Sequence, residues 1–380
     1  MIKQINIAGY ACTLAILLAA CTATDEYPAN DSYAILSPQI QVGGTSTRAV
    51  IGGTNADPGE NEINQVQLFI TRNDDGHTIY NTGTNGLATF TLSGDAWSST
   101  PAVTLSGIMA RIFAFYPPIA AVDVATNFFP STTDAAHKIK VSIPAEQTFD
   151  GTKDWKCNTT DYLYGSKESA VGDATPITAN NAKEESGDTK PFSPTISMQH
   201  ALSYLVFTLQ STSGRDVDNT YDYVKEVRLS TTDGTNQFRI SGASANNTMQ
   251  IDNGTLDLVQ SNTLKFTAET GTAQLCGKYG YPQIVAYGLV APLKIAPNDL
   301  KLTVVLDKKG ETTTDKRELS VSLSPKHWTK GNRYVFNLTL TERAITVEST
   351  AITEWGEGWS NDSDGNGSLY PDGHTPSTGA

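Results

Sequence analysis

The chain has 380 residues, enough for two ordinary domains or one large one. Lys and Arg total 27 against 40 Asp and Glu, and the net charge of −13 argues against a nucleic acid or an anionic membrane surface as partner. Charged residues are only 18% and hydrophobic residues 38% of the chain, so it is not a highly charged disordered polymer and it can form packed cores.

The N-terminus has the features of a bacterial export signal. Lys3 precedes the apolar run 11–20, which is shorter than the roughly 20 residues that span a bilayer. Small residues lead into Cys21, whose thiol can carry a diacylglycerol, and this pattern resembles the lipobox of lipoproteins. We expect residues 1–20 to be a lipoprotein signal peptide and Cys21 to be the lipidated, membrane-anchored first mature residue. The alternative is an ordinary secretion signal with a chance cysteine.

The first half of the mature chain predicts short β-strands. Residues 32–42 follow a polar tether and have the composition of a strand interrupted by Pro38. Alternating apolar residues at 65–70 predict a half-buried strand, and residues 108–116, apolar on both faces, predict a central one. Residues 166–193 are polar, with Gly and Pro, and are the best candidate for a domain boundary or a long surface loop.

The second half repeats this pattern. Strands are predicted at 204–209, 224–229 and 302–306, and Asn253-Gly254 between apolar positions predicts a hairpin. Short alternating strands with frequent turns, and no amphipathic helix of four turns, favour β-sandwiches. Because the pattern restarts near residue 195, we predict an N-terminal sandwich and a C-terminal sandwich. With the segments around them, the expected divisions are residues 21–48 (tether and leading strand), 49–190, 191–359 and 360–380 (a flexible polar tail).

Residues suited to catalysis are scattered. The five histidines include no pair at metal-ligand spacing, and neither a nucleophile elbow nor a glycine-rich phosphate loop occurs. We predict no catalytic residue, no metal site and no cofactor. Paired carboxylates of a glycoside hydrolase cannot be judged from sequence, because their separation is a three-dimensional quantity.

Two other side-chain types are left open. Three aromatic residues are candidates for stacking on sugars, although packing in the core or at its rim is favoured; they are Trp97, Trp155 and Tyr370. Cys157 and Cys276 remain after Cys21 is acylated, and export makes a disulfide between them permissible without requiring it.

Seven different short segments, spread in order along almost the whole mature chain, together form a recognisable set. They are TRA at 47–49, FAFYPP at 113–118, VSIPAEQ at 141–147, DYLYGS at 161–166, ISMQHALSYLVFTL at 196–209, WTKGNRYVFNLTL at 328–340 and ITEW at 352–355. As a set they resemble the fimbrillin family, the type V pilins and related lipoproteins of anaerobic Gram-negative bacteria. Phe113 and Phe115 depart from the tyrosines often found there, and the acidic tail after Trp359 matches no segment of the family.

The resemblance implies two transthyretin-like β-sandwich domains and export as a lipoprotein to the outer membrane, exposed at the cell surface in a fimbrium. It also implies cleavage by a trypsin-like protease between Arg48 and Ala49, in a small and polar stretch suited to proteolysis. The cut would remove residues 21–48 with the lipid and the leading strand. Some members of the family stay lipidated, so cleavage does not follow automatically.

Loss of a strand suggests a mechanism of assembly. An emptied groove exposes backbone groups and an apolar floor, which a strand from a neighbouring subunit can fill. Such a head-to-tail contact does not close, so it builds a filament. Our candidate donor is residues 344–355, with Ile345, Val347 and Ile352 pointing inward. The same segment can equally be the last strand of its own domain, because residues 348–350 break the alternation.

We therefore interpret the chain as a structural or tip-associated subunit of a type V fimbria. It would assemble with other fimbrial subunits, support adhesion and lack enzymatic activity. The alternatives are a monomeric outer-membrane lipoprotein that binds glycans, and a secreted hydrolase with unrecognised carboxylates. A shaft, anchor or tip position, and a host glycan or protein as receptor, are left open.

Overall fold

The computed structural model describes residues 33–42, 63–80, 85–150, 157–167, 175–187, 191–243, 246–293, 299–308, 316–324 and 327–354. Nearly all regular structure in these ranges is β, and the predicted all-β, multi-domain fold is confirmed. A 3-10 turn at Ala121–Asp123 leads into helix α1, Val124–Asn127. In the described ranges, none of the helical structure has the length and hydrophobicity needed to cross a membrane.

The strands of the first half are short and separated by turns. They are β1 (Ala34–Ile35), β2 (Gln39–Val42), β3 (Gln65–Arg72), β4 (Leu87–Ser93), β5 (Ala96–Ser99), β6 (Thr104–Leu105), β7 (Ala110–Tyr116), β8 (Phe128–Phe129), β9 (Lys138–Lys140), β10 (Glu146–Phe149), β11 (Leu163–Ser166), β12 (Ile177–Ala179) and β13 (Thr195–His200).

The second half contains the longest strands. They are β14 (Ser203–Ser211), β15 (Tyr223–Ser230), β16 (Phe238–Ile240), β17 (Thr248–Gln250), β18 (Leu256–Asp257), β19 (Val259–Ser261), β20 (Thr263–Ala268), β21 (Gln274–Leu275), β22 (Gln283–Val290), β23 (Lys301–Asp307), β24 (Arg317–Ser322), β25 (Asn332–Leu340) and β26 (Ile345–Glu354).

One sheet of eight strands forms the first body of the protein. Its order is β2-β13-β11-β7-β3-β4-β5, with β12 beside β7, and its two edge strands β2 and β5 approach each other, so the sheet nearly closes. The predicted central strand is β7, which is apolar on both faces. Ile112 and Ala114 face the core enclosed by this sheet, whereas Phe113 and Phe115 face a second core on the opposite side.

Two packed sheets form the second body. One has the order β22-β14-β25-β26, and the other has the order β10-β20-β15-β23-β24 with β21 beside β15. Side chains from both sheets share one apolar core, in which Phe207 of one sheet contacts Phe266 of the other with ring centroids 5.4 Å apart. This core continues to Phe113 and Phe115 of the first body. The two bodies are therefore joined by buried apolar contacts.

Strand pairing crosses residue 190 in both directions. β10, from the first half of the chain, pairs in parallel with β20 of the second body, and β9 pairs with β17. Conversely, β13 lies beyond residue 190 and pairs with β11 in the first sheet. The division into residues 49–190 and 191–359 stays a prediction, and the exchanged strands fasten the two bodies to each other.

A glutamine side chain joins the two sheets of the second body, and a glycine allows close packing within the first sheet. The Gln147 side chain donates from Nε2 to the Leu289 carbonyl at 2.5 Å and accepts from the Leu289 N–H at 2.9 Å, so it pairs with β22 as a short backbone segment would. Gly165 lies on β11, between its neighbouring strands β7 and β13. A Cβ there would lie 2.6 Å from the Cβ of Ala114, so a larger residue would displace the sheet.

His137 is buried between two aromatic rings, Phe69 and Phe113, each with its centroid 4.7 Å from the imidazole. Nδ1 accepts from the Ser131 N–H at 3.0 Å and Nε2 donates to the Gly76 carbonyl at 2.8 Å, which fixes the neutral tautomer. Burial lowers the pKa of His137 below its ordinary value. The charged or titratable groups near it are Asp134, Arg111 and His77.

Cys157 and Cys276 are both free thiols, so the disulfide left open by the sequence is absent from the structure. Burial raises the pKa of each thiol to about 12. A thiol with so high a pKa is almost entirely protonated at neutral pH and is a poor nucleophile, so both cysteines behave as small core residues.

Candidate functional site: the leading segment and its groove

Residues 33–42, here called the leading segment, contain β1 and β2, and β2 is an edge strand of the first sheet. This segment contains the strand predicted to be removed by processing. The lipidation residue Cys21 and the cleavage residues Arg48 and Ala49 lie outside the described residues, as do Trp155 and Tyr370.

The first part of the segment pairs with β6. β1 runs antiparallel to β6, with Ala34 opposite Leu105 and Ile35 opposite Thr104. The Leu36 N–H then donates to the Val103 carbonyl at 2.9 Å. These contacts hold the segment against the loop that leads out of β5.

Pro38 marks the point where the segment changes neighbours. The Ser37 N–H donates to the Phe192 carbonyl at 3.0 Å, and the Gln39 N–H donates to the Pro194 carbonyl at 2.9 Å. Pro38 has no N–H to donate, so it fits between these two bonded residues without leaving a donor unpaired. The interruption predicted at Pro38 is thus confirmed as the break between β1 and β2.

β2 then runs parallel to β13 and completes the sheet. Ile40 lies opposite Ile196 and Val42 lies opposite Met198. The Gln41 side chain adds a hydrogen bond from Nε2 to Oγ of Ser197 at 3.1 Å. Parallel pairing with a strand from much later in the chain means that the segment is held by tertiary contacts only.

Three side chains anchor the segment in the core of the first body. Leu36, Ile40 and Val42 are only 2%, 5% and 3% exposed, whereas Tyr33 and Ile35 are 76% and 60% exposed. At about 1.5–3 kcal/mol for each buried aliphatic side chain, the three anchors contribute about 5–9 kcal/mol before ordering costs. The segment is thus strongly held in the sheet.

Removing the segment would leave a groove with a polar wall and an apolar floor. The wall is the β13 edge, whose backbone groups now pair with β2. The floor comprises residues that share a core cluster with the anchors: Trp97, Leu105, Ile196 and Met198. Trp97 is 4% exposed and belongs to this core, so the favoured packing role holds for it and the sugar-stacking alternative does not.

The candidate donor segment forms β26, the edge strand of its own sheet. It pairs antiparallel with β25 from Ile345, opposite Leu340, to Glu354, opposite Asn332. The register shifts between Asn337 and Leu338, which leaves Glu348 as an extra residue. Of the two alternatives left open by the sequence, the single chain adopts pairing within its own domain, and donation to a neighbour stays a prediction.

The bulge decides which side chains of β26 face inward. Ile345, Val347 and Ile352 lie opposite three buried core residues, Leu340, Leu338 and Tyr334 respectively. Their burial nevertheless declines along the strand: Ile345 is 2% exposed, Val347 is half-buried and Ile352 is 58% exposed. The last part of β26 therefore presents an inward-facing apolar side chain that its own domain leaves uncovered.

Several solved protein structures resemble this architecture. No family model and no curated protein matches the chain. A fimbrial protein from Bacteroides vulgatus matches 84% of this chain and 99% of its own length, at 16% identity and a TM-score of 0.50. A candidate cell adhesion protein from Bacteroides uniformis matches 86% of this chain and 99% of its own length, at 12% identity and a TM-score of 0.48. The tip fimbrial protein Mfa3 from Porphyromonas gingivalis, with a C-terminal truncation, matches 77% of this chain and 94% of its own length, at 9% identity and a TM-score of 0.35.

The chain thus has a fimbrillin-like fold. At 16% identity, the likeness to the Bacteroides vulgatus fimbrial protein shows the fold alone. The structure neighbours are fimbrial and candidate cell adhesion proteins of Bacteroidales, and the resemblance to the fimbrillin family predicted from the sequence is confirmed at this level.

Proposed function

We propose that this chain is a subunit of a surface fimbria, with assembly rather than catalysis as its activity. The observation that carries the proposal is the leading segment, an edge strand fixed by three anchors in a groove that another strand could fill. The fold shared with a fimbrial protein supports the same conclusion. In this proposal Cys21 carries the lipid that holds the newly exported chain at the outer membrane.

Processing and strand release are two separate steps in this proposal. A trypsin-like protease cuts between Arg48 and Ala49, six residues beyond Val42. The cut breaks the covalent connection but leaves the anchors in place, with their contribution of about 5–9 kcal/mol. Release of the old strand is therefore slow until a competing strand takes over its backbone and side-chain contacts.

The groove sets requirements for the incoming strand. To reproduce the contacts of β2, the strand must run parallel to β13. It must also carry apolar side chains spaced as Leu36, Ile40 and Val42 are, at intervals of four and then two residues. Ile345 and Val347 are two residues apart, as required, but Thr341 stands four residues before Ile345, so a subunit of different sequence suits this groove better. This difference favours a heteropolymer with other fimbrial subunits.

Cleavage is tested by comparing Arg48→Gln with Arg239→Gln, a matched change at an exposed arginine. We expect the wild type and Arg239→Gln to yield surface material that begins at Ala49 and is incorporated into filaments. Arg48→Gln should keep its lipidated N-terminus at Cys21 and remain outside filaments. Filaments containing Arg48→Gln at the wild-type level, with residues 33–42 still attached, would contradict the proposal.

Donation by β26 is tested at Ile352. Because this side chain is 58% exposed in the single chain, Ile352→Asp should change the free energy of unfolding by less than about 0.5 kcal/mol. If β26 is donated, the same aspartate would be buried in the groove of a neighbour and assembly should fail. Val122→Asp, at a residue that is 89% exposed, is the control. Equal assembly of both variants would exclude β26 as the donor.

A further inference from the structure

A cavity of about 300 Å³ opens on the surface of the first body. Residues of β3 and β4 line it from the sheet, and residues 99–103, after β5, and parts of 119–124, after β7, line it from two loops. Its volume is near the lower limit of pockets that hold small ligands, and it suits a ligand of one or two rings. Among the described residues, none of the leading segment belongs to the lining, so the cavity is separate from the groove.

The walls of the cavity are fixed before any ligand enters. Gln67 on β3 is 5% exposed, and its Oε1 accepts from the Ile119 N–H at 3.0 Å, which ties the second loop to the sheet. The Tyr80 hydroxyl accepts from the Ser106 N–H at 3.0 Å and donates to the Ile108 carbonyl at 2.7 Å, which holds the ring in the wall. A preformed pocket loses little conformational entropy when it binds a ligand.

The lining combines apolar side chains with hydroxyl and amide groups. A purely apolar ligand would strip water from the polar groups and return no hydrogen bonds, which costs free energy at each of them. A ligand without apolar surface would leave the aliphatic side chains with nothing to pack against. The cavity therefore suits a ligand with both kinds of surface. The aliphatic side chains include Ile70, Leu87 and Val124, and the polar ones include Asn85, Thr89 and Ser99.

Two hydroxyl groups in the lining have capacity for further hydrogen bonds. A hydroxyl group can donate once and accept twice. Oγ1 of Thr89 accepts from Nε2 of Gln67 at 3.3 Å, so its own proton is available to a ligand. Oγ of Ser99 donates to the Pro101 carbonyl at 3.0 Å, so its lone pairs are available. The cavity thus offers a donor and an acceptor, and a sugar hydroxyl can pair with either.

The lining is uncharged. In the described part of the chain, no Asp, Glu, Lys, Arg or His side chain belongs to it. Asp123, in the second loop, is exposed and lies outside the lining. An ionised ligand would lose water on entering this cavity and find no opposite charge to offset the loss. The lining therefore selects a neutral ligand.

We propose that this cavity binds a neutral sugar of one or two rings, such as the end of a glycan chain. A pyranose ring has C–H faces that pack on aliphatic side chains, and its hydroxyl groups pair with those of Thr89 and Ser99. The other candidate occupant is an apolar side chain of a neighbouring protein, which would satisfy only the aliphatic part of the lining. The proposal does not rest on strand replacement or on the fimbrial role.

The test is titration of the purified chain with methyl glucoside, methyl galactoside and methyl mannoside, followed by ligand-observed NMR. Methyl glucuronide and cyclohexylmethanol are the comparison probes, because the first adds a charge to the ring and the second removes all but one hydroxyl. We expect at least one neutral glycoside to bind at least tenfold more tightly than either comparison probe. Salt should not change its association constant, because the ligand is uncharged.

Two variants, each with a matched control, locate the site. Ala121→Trp places a large ring at the rim from an exposed position and should lower the association constant at least tenfold. Ala125→Trp, at an exposed alanine of α1 outside the lining, should bind as the wild type does. Thr89→Val keeps the shape of the side chain and removes its hydroxyl, so binding should weaken about two- to tenfold. Thr91→Val, at an exposed position of the same strand, should leave binding unchanged.

Four results would overturn the inference. They are no binding of any neutral glycoside at millimolar concentration, equally tight binding of a comparison probe, unchanged binding by Ala121→Trp, and equal binding by Thr89→Val and Thr91→Val. Incorporation into filaments is scored on the same variants. If Ala121→Trp blocks incorporation and the wild type binds no sugar, the cavity is a contact between subunits and the inference is wrong. If no sugar binds and every variant is incorporated normally, the inference alone fails and the fimbrial proposal is unaffected.

Discussion

Replacing Leu36 with alanine should loosen the leading segment while the rest of the protein stays folded. Leu36 is 2% exposed in the core of the first body. A leucine-to-alanine change at such a site costs about 2–5 kcal/mol, through lost burial and the cavity left behind. The three anchors together contribute about 5–9 kcal/mol, so this single change removes a large part of what holds the segment.

Hydrogen exchange on the intact chain measures the effect. Since each 1.4 kcal/mol changes an equilibrium constant tenfold, a loss of about 2–5 kcal/mol raises the detached population of the segment about 30- to 5000-fold. Amides of β2, and the amides of β13 that pair with it, should exchange faster by this factor. Amides of β14 and β25, in the second body, should keep their wild-type rates.

Ile35→Ala is the matched control, because Ile35 lies beside Leu36 but is 60% exposed. A substitution at such a surface site changes stability by less than about 0.5 kcal/mol, so the exchange of β2 should hardly change. Equal acceleration in both variants, or no acceleration of β2 in Leu36→Ala, would refute the assignment of Leu36 as an anchor.

Three further changes test the rest of the fold. Gly165→Ala should lower the free energy of unfolding by about 1–3 kcal/mol, and Gly234→Ala, where a Cβ meets open space, should not; urea unfolding distinguishes them. Gln147→Leu leaves two buried backbone groups of β22 unpaired and should cost about 2–6 kcal/mol, against a near-neutral Gln260→Leu at the surface. The pKa of His137 is below its ordinary 6.5 in the folded chain, so the unfolded chain takes up more protons below about that pH. Stability should therefore fall on acidification, and His137→Gln should have a shallower slope in thermal unfolding measured between pH 7.5 and 5; equal slopes would exclude His137 as the cause.

Local sequence pattern was sufficient for two features. Residues 108–116 are apolar on both faces, and the structure buries both faces of β7 in the middle of the first sheet. Pro38 predicts an interruption because proline lacks an N–H, and the segment changes partners there. In both cases the feature follows from the local residues alone, and predicting it does not require knowing which strands lie next to them.

The groove could not be derived in the same way. Its wall, β13, and the loop that leads into β6 are remote from the leading segment in sequence, and no spacing rule specifies a parallel pair between distant strands. The polar stretch at 166–193 resembles a clean domain boundary, but β10 and β13 cross the predicted line at residue 190 to pair with the other body.

β26 shows how a pattern can be informative without being decisive. The alternation breaks at residues 348–350, which leaves the inward face of the strand ambiguous in the sequence. The structure resolves the break as a bulge at Glu348, after which Ile352 returns to the side of Tyr334. A single extra residue reverses the facing of all later side chains, and only the partner strand reveals whether it is present.

The central claim is that the edge of β13 is covered by the leading segment, uncovered by processing and covered again by a neighbour. Hydrogen exchange of residues 195–200, measured in the intact chain, in the chain trimmed after Arg48 and freed of residues 33–42, and in assembled filaments, tests it directly. We expect slow exchange in the intact chain, fast exchange in the trimmed monomer and slow exchange again in filaments. Filaments in which these amides exchange as fast as in the trimmed monomer would contradict the account.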